Sequence, residues 1–597
     1  MFNNIIYFIA VLLIFGVSPS GGTPKDPATY YILMLFLTWL AFAVYCRWVF
    51  RSLLERHHAG NEPRVINRYQ GLMFRLSILS IFLFTIDIFL FHLKYLLQGV
   101  PGLNQFSVIQ GVLALILFFF YLGTIWYFSH PAYLVAFETD IGRLPFILSN
   151  IKLNLPIIFP WLILTFFYDL LSHIPLSGFE AFFNRPEGQF LFFMVFLTVL
   201  VIFLPYFIKT WWSCKPFSPS ARIEELERFL HEKGLRYRQL LNWPIFEGRI
   251  MTAGIMGVVA RYRYILVTEA LMGVLTMEEL KAVLAHEMGH AKYRHLLIYV
   301  FFIVACLVFW VGLFEQTFYK ISEAFIIEKF PIPVSSYMIY TPLILLVIII
   351  YFRYVMGFFM RQFERQADLY SARVMGSPRY TVSSLEKIAL LSGKIRDLPS
   401  WHHFSIKERV DYLWRTIKDP GLFKKHNRFV IISFCIYLGC MIALGYLFNF
   451  SETKKNMMYA MYEEVLQQQI VKDPNQLPLY KELARIYDER GKYKMAMEAY
   501  EKIIGMDGEE PVALNNLAWL LLTIPDEHLR EPKRALALAK KAVALDRSPV
   551  FLDTLAEAYY VNGNTPEALK AINEAIAVAH ENRGYYQRQR KKFLGKN

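Results

Sequence analysis

Residues 276–318 read TMEELKAVLAHEMGHAKYRHLLIYVFFIVACLVFWVGLFEQTF, and two signals meet in this one stretch. The first half carries a helix start. Thr276 with Glu279 three residues on is a capping box, and Leu280, Val283 and Leu284 follow at amphipathic spacing. His286, Glu287 and His290 therefore fall on a helix, where positions i and i+4 lie about 40° apart in azimuth and one turn apart in height. Two imidazoles so placed are able to share one tetrahedral zinc ion, with Glu287 beside them. Two histidines on a helix also occur as solvated or core residues, so the pair needs its context. The second half supplies it. From residue 297 the chain is apolar for long enough to cross a bilayer, which takes roughly 20 residues as a helix.

The rest of the chain has the same character. Its 597 residues exceed one ordinary domain. They are 55% hydrophobic, 17% aromatic and only 19% charged, where a soluble globular chain is roughly 45–50% apolar and about 25% charged. The excess is gathered into runs at 30–50, 72–97, 106–129, 154–175, 190–209, 297–318, 338–360 and 429–449, which predict eight spans. A further apolar stretch at 2–17 lacks a positively charged start, so it is expected to be a short uncleaved segment and not a signal peptide. Asp87, His92 and Asp169 lie in or near the spans, and helix-end solvation explains them as well as a wet cavity does.

The formal charge of +14 bears on topology before it bears on nucleic acid, which is not an expected partner. Arg51, Arg56, Arg64 and Arg68 lie in one loop, Arg143 and Lys152 in another, and more than ten Lys and Arg in 361–428. The alternate loops are poor: 98–105 has none and 176–189 has only Arg185. This alternation predicts cytoplasmic motif segments and extracytoplasmic residues after 450, with Lys454 and Lys455 counting against it. Anionic lipid is the natural partner of the basic loops. Five cysteines, Cys46, Cys214, Cys306, Cys435 and Cys440, form no CxxC pair and read as small apolar packing residues.

From about residue 470 the composition turns to Ala, Leu and Glu, and an internal repeat emerges. The pairs Leu483-Ala484, Leu517-Ala518 and Leu555-Ala556 recur 34 and then 38 residues apart. Tyr487 and Tyr559 follow at equal distance, Gly491 and Gly563 mark a turn, and Ala496, Ala535 and Ala568 open a second helix backed by Tyr500. Pro511 and Pro549 fall at repeat boundaries, and an insertion sits around Ile524–Glu531. Small residues at these places let paired helices pack closely, and the pattern resembles the tetratricopeptide repeat, a protein-binding solenoid.

A catalytic zinc needs a third protein ligand and one open position. Phe363-Glu364-Arg365-Gln366-Ala367-Asp368 follows the span ending near 360, with Glu364 and Asp368 at i and i+4 on one helix face. One of them is placed to bind metal while the other holds a ligand imidazole in its tautomer. The competing reading is an acidic face paired with Arg361 and Arg365.

Taken together, HEMGHAKYRH at 286–295 and FERQAD at 363–368 resemble the membrane-embedded zinc proteases that include HtpX-type proteases and type I CAAX prenyl endopeptidases. The resemblance implies that Glu364 is the third zinc ligand and that Asp368 acts from behind the ligands. His403-Phe404-Ser405-Ile406 with Arg409 resembles the late histidine-serine-arginine motif of that family, which implies that His403 supports the oxyanion. Phe404 stands where proline is commoner, and neighbouring His402 leaves the choice of histidine open. The likeness covers roughly residues 215–415, more loosely the five spans before them; the last span and the repeats are additions.

The expected protein is thus mainly α: a polytopic helical membrane protein with an embedded zinc metalloprotease domain and a C-terminal helical-repeat solenoid. Its expected parts are a transmembrane bundle at 1–210, the protease domain at 211–428 including two spans, a last span at 429–450 and the repeats at 455–597. Met251–Val259 and Arg263–Val267 read as two strands joined by a basic turn, with Gly254 and Gly257 in the first. Such a hairpin either holds an extended peptide along its edge or is purely structural. The expected activity is hydrolysis of peptide bonds in membrane-associated proteins, in quality control or processing, with Glu287 as general base and one zinc per chain. Expected partners are protein or peptide substrates, the bilayer and a protein bound by the repeats, and a bacterial inner membrane is the expected setting. The alternatives are a CAAX-type prenyl-peptide protease, for which no isoprenoid-reading feature is visible, and a non-proteolytic repeat-bearing membrane sensor.

Overall fold

The structure is a computed structural model that describes residues 2–17, 27–59, 65–98, 107–172, 186–248, 250–306, 343, 346–391, 403–450, 452–579 and 583–595. They fall into two compact units, one drawn from residues 1–308 and 330–441, the other centred on residues 442–597.

Six helices of the described residues are long and apolar enough to cross a bilayer: Ala28–His58, Val65–Phe89, Val108–Phe137, Gly188–Trp211, Leu346–Val374 and Leu422–Leu447. Arg143–Asn154 and Phe159–Leu171, bent by 60° at their junction, make a seventh if counted as one span. The expectation was eight. The run at 297–318 is described only through the helix His295–Cys306, and the rest of it lies outside the described residues. Two boundaries also move. The second run stops at Phe89 and a separate short helix, Leu93–Gln98, follows, because His92 takes a left-handed conformation with φ 49°. The run near 360 does not stop: a π-helical turn, Tyr351–Met356, leads directly into the helix Gly357–Val374.

Polar side chains within the bundle are spent on helix pairing, as a medium without water demands. Trp39 Nε1 donates to Thr124 Oγ1 at 3.0 Å, and the Tyr121 hydroxyl donates to Asp87 Oδ2 at 2.8 Å. Asp169 Oδ2 accepts from the Val108 backbone N–H at 2.8 Å. Asp87 and Asp169 tie helices together.

A four-stranded sheet precedes the histidine helix, in the order β1 (Lys215–Pro216), β2 (Gln239–Asn242), β4 (Tyr264–Val267), β3 (Ala253–Met256). The expected hairpin is β3 and β4, paired antiparallel with Ile255 opposite Ile265. The parallel strand β2 beside β4 was not foreseen, since four residues flanked by turns carry too little periodicity. β3 is left as an edge. Thr268 N–H donates to Thr252 O, so Gly254 and Met256 continue the bonded pairs while Ala253 and Ile255 turn their backbone groups to the open side.

The second unit is built from helical hairpins. Leu477–Glu489 pairs with Tyr493–Met506, Pro511–Thr523 with Pro532–Leu545, and Pro549–Val561 with Thr565–Val578. Ala484, Ala518, Ala556, Ala496, Ala535 and Ala568 are all fully buried, which is what the repeated small residues require of helices in close contact. Gly491 and Gly563 sit in the hairpin turns at φ 67° and 80°, a region glycine enters without strain. The insertion in the second repeat is a 3-10 turn at Glu527–Leu529. Arg583–Phe593 covers the last hairpin with Tyr586 and Phe593 buried, the capping role that a solenoid end needs.

Candidate active site

The motif helix Met277–Lys292 begins with the capping box read from sequence: Thr276 Oγ1 accepts from Glu279 N–H and Glu279 Oε2 accepts from Thr276 N–H at 2.9 Å. Glu279 does more than cap. Lys387 Nζ donates to it at 2.7 Å and Ser383 Oγ donates to its other oxygen, both from the helix Arg379–Leu391. Burial works to raise the Glu279 pKa, but the Lys387 ammonium, the Ser383 hydroxyl and Thr276 outweigh it and hold it near 2. A buried anion thus joins two helices under the site.

The motif helix crosses Gly357–Val374 at small residues. A Cβ built on Gly289 would lie 2.9 Å from Ala367 Cα, so any side chain there would push the helices apart. Ser371 Oγ donates to the Ala282 carbonyl at 2.7 Å one turn away. This close crossing brings the two motifs together. His286 Nε2 and His290 Nε2 are 3.2 Å apart, His286 Nε2 is 3.6 Å from Glu364 Oε2, and His290 Nε2 is 3.5 Å from Glu364 Oε1. Three donors bound to one tetrahedral zinc at roughly 2.0–2.1 Å would stand about 3.3–3.4 Å from one another. The residues present fit a zinc ion.

Behind the donors lies Asp368, which is buried. Its Oδ1 accepts from His286 Nδ1 at 2.9 Å, so the ring carries its proton on Nδ1 and offers a lone pair at Nε2. Arg409, from the helix Ile406–Lys418, donates to Asp368 through Nε at 2.8 Å and Nη2 at 2.7 Å, and its Nη2 is 3.7 Å from Glu364. Burial pulls the His286 pKa down, yet the Asp368 carboxylate prevails and the net shift is upward. At His290 burial prevails and pushes the imidazole down to about 3, so it is neutral at physiological pH. Glu287 is pushed up by burial, and Glu364 adds to the effect. The backbone N–H of Ile255 on the open edge of β3 donates to its carboxylate.

His403 Nδ1 lies 3.1 Å from Glu364 Oε2, and the side chain is 39% exposed. His402 lies outside the described residues, so only His403 is seen at the site. Phe404 has an evident use: the Arg365 guanidinium is held between its ring, 3.9 Å away, and the Tyr412 ring at 4.1 Å. Arg365 therefore braces the helix that carries Arg409. All of His286, Glu287, His290, Glu364, Asp368, His403 and Arg409 line one cavity of about 600 Å³, whose walls include Trp243, Met251, Met256 and Ile388. His295, 3.0 Å from His290, was not singled out from sequence; only its place in the stretch HEMGHAKYRH hinted at it.

Residues 221–428 match the family described as Peptidase family M48. No curated protein matches the chain in sequence. Among solved structures, Ste24p of S. mikatae is similar at 14% identity and a TM-score of 0.38, over 66% of this chain and 100% of that one. Yeast Tom70 is similar at 14% identity and a TM-score of 0.21, over 93% of this chain and 96% of that one. Likenesses this loose carry no argument.

Replacing Glu279 by Ala removes a helix cap and leaves Lys387 without its partner, at an expected cost of about 2–3 kcal/mol at neutral pH. Because folding depresses its pKa from the ordinary 4.5 to about 2, the stabilising anion is fully present above 4.5 and is lost as pH falls between those values. Thermal unfolding of the two proteins in detergent should therefore differ most at neutral pH and converge in acid. A constant difference down to pH 2 would contradict the assignment.

Proposed function

From the match of residues 221–428 to Peptidase family M48 and the apolar helices long enough to cross a bilayer, we propose that the protein is an integral-membrane, zinc-dependent endopeptidase cutting membrane-associated proteins. The observation that carries this reading is the convergence of the His286 and His290 lone pairs and the Glu364 carboxylate at tetrahedral spacing. One zinc per chain would be held by these three residues. A bound zinc would supply Lewis-acid polarisation of the scissile carbonyl and a water of lowered pKa. Glu287, beside the two histidines, takes the proton from the attacking water and passes it to the leaving amine. Its upward-shifted pKa suits a group that must hold a proton between those two events. Asp368 keeps His286 in the ligating tautomer, Arg409 keeps Asp368 ionised and oriented, and His403 is proposed to donate to the developing oxyanion.

Substrate is proposed to enter extended along β3, where Ala253 and Ile255 turn their backbone groups to the edge that β4 leaves uncovered. The mostly apolar cavity walls suit the hydrophobic residues of a membrane protein segment. Within the proposed domain plan, 1–210 is the N-terminal bundle, 211–428 the protease, 429–450 a last span and 455–597 the repeats. The repeats are proposed to bind a protein partner or the exposed part of a substrate.

Zinc analysis and cleavage of a model membrane substrate test the site. Glu364→Ala should lose most of its zinc, whereas Glu287→Gln should keep zinc and fold yet lose at least 100-fold in rate, the typical loss when a general base is removed being 10²–10⁴-fold. Undiminished cleavage by Glu287→Gln would sink the mechanism.

The loop charges suggest a cytoplasmic site and extracytoplasmic repeats, in a bacterial inner membrane. The helix Leu422–Phe450 supports this crossing, since 29 unbroken residues extend about 43 Å against a hydrocarbon core of about 30 Å. The rival is a helix lying within or against the bundle, which Gly439, Cys440 and Gly445 would permit. Single cysteines at Arg415 and Lys570, in a chain cleared of its own five, should react with an impermeant reagent from opposite sides. Reaction of both from the same side would rule the crossing out.

A further inference from the structure

On the side of His290 away from Glu364, a chain of polar groups, buried at His295 and Gln366 and half-buried at Asn427, runs to the last apolar helix. His290 Nδ1 is 3.0 Å from His295 Nδ1. His295 Nε2 is 2.9 Å from Gln366 Oε1, and Gln366 Nε2 donates to Asn427 Oδ1 at 2.8 Å. Asn427 Nδ2 donates to the Tyr293 hydroxyl at 3.3 Å. His295 is wholly buried and its ring lies flat on Phe363, with centroids 4.2 Å apart and planes at 9°. Asn427 stands near the start of Leu422–Phe450, far along the sequence from either ligand histidine.

Each neutral imidazole and each amide in such a chain gives one hydrogen bond and takes one, so the bonds must all run the same way. There are two directions. In one, Asn427 accepts from Gln366, so Gln366 offers its oxygen and His295 must donate from Nε2. His295 Nδ1 is then an acceptor, His290 donates from Nδ1, and His290 Nε2 is left with a lone pair facing Glu364 and His286. In the other direction every bond reverses, His290 accepts at Nδ1, and its proton moves to Nε2, where no metal can be taken. A protonated His295 is disfavoured, because among the described residues no carboxylate lies within ion-pair distance of it and it has no access to water.

We propose that His295, Gln366 and Asn427 are positioning residues that hold His290 in its metal-ligating tautomer, so that the last apolar helix sets the zinc affinity through hydrogen-bond direction. The proposal rests on the zinc reading above. It separates the two histidines physically: His286 is set by an anion, Asp368, and His290 by a neutral chain that ends on the Asn427 side-chain oxygen.

The consequence is specific. With Asn427→Leu nothing dictates the Gln366 amide, which is free to flip and present N–H to His295, reversing the chain. Zinc affinity of the purified full-length protein, measured by competition with a chromophoric chelator, should fall 10–100-fold in Asn427→Leu and in His295→Leu, the usual range for partners behind a metal ligand. Gln366→Glu in the Asn427→Leu background should restore most of the loss, because a carboxylate cannot flip into a donor. A merely structural role for Asn427 predicts no such rescue. Wild-type zinc affinity in Asn427→Leu, or failure of the rescue, would overturn the proposal. Absence of zinc binding by the wild-type protein would sink the metal reading itself and the relay with it.

Discussion

The close crossing of two helices at Gly289 and Ala367 is the constraint on which the site depends. Two residue pairs spaced i and i+4, His286 with His290 and Glu364 with Asp368, lie on separate helices of fixed radius and rise. They meet only if the axes approach to the distance that a glycine against an alanine allows, and a Cβ on Gly289 would already press on the Ala367 backbone at 2.9 Å. Packed interiors do not yield easily to added volume. Side chains of fixed length then reach a common point; Ser371 ties the two helices directly, while Glu279 and Arg409 tie each of them to a neighbouring helix.

Within that frame polarity is arranged in layers. Buried groups that carry charge are matched: Asp368 by Arg409 and His286, Glu279 by Lys387. Polar groups without charge, the buried His295 and Gln366 and the half-buried Asn427, are joined end to end. Both arrangements answer the cost of leaving a buried donor or acceptor unmade, about 1–3 kcal/mol each and more for ions. Asp368 also fixes the His286 proton on Nδ1, and the neutral chain is proposed to do the same for His290, so one set of atoms would serve stability and ligand orientation together.

Local rules were enough to read much of this. The capping box at Thr276 and Glu279, the helical spacing of the motif and the small-residue repeat at Ala484, Ala518 and Ala556 all report on neighbours within a few residues, and the structure has each. The apolar runs were legible for the same reason, though their ends were not: the break at His92 and the continuation through Tyr351–Met356 depend on backbone geometry that composition does not encode. Strand β2 was missed because its stability comes from pairing with β4, not from a pattern of its own. His295, Gln366 and Asn427 were invisible as a set. They are 61–71 residues apart across each bond to Gln366, and only the fold makes them adjacent. The use of Phe404, a departure from the resembling family, likewise emerges only when Arg365 is seen between it and Tyr412.

The central claim is that two imidazoles and one carboxylate hold a single zinc. X-ray absorption at the zinc edge of the purified full-length protein tests it most directly. The account predicts a four-coordinate ion with only nitrogen and oxygen neighbours at about 2.0–2.2 Å, including the multiple-scattering signature of two imidazoles, in a resting site that keeps one position open to water. A sulfur shell at about 2.3 Å, or a spectrum with no imidazole contribution, would contradict it.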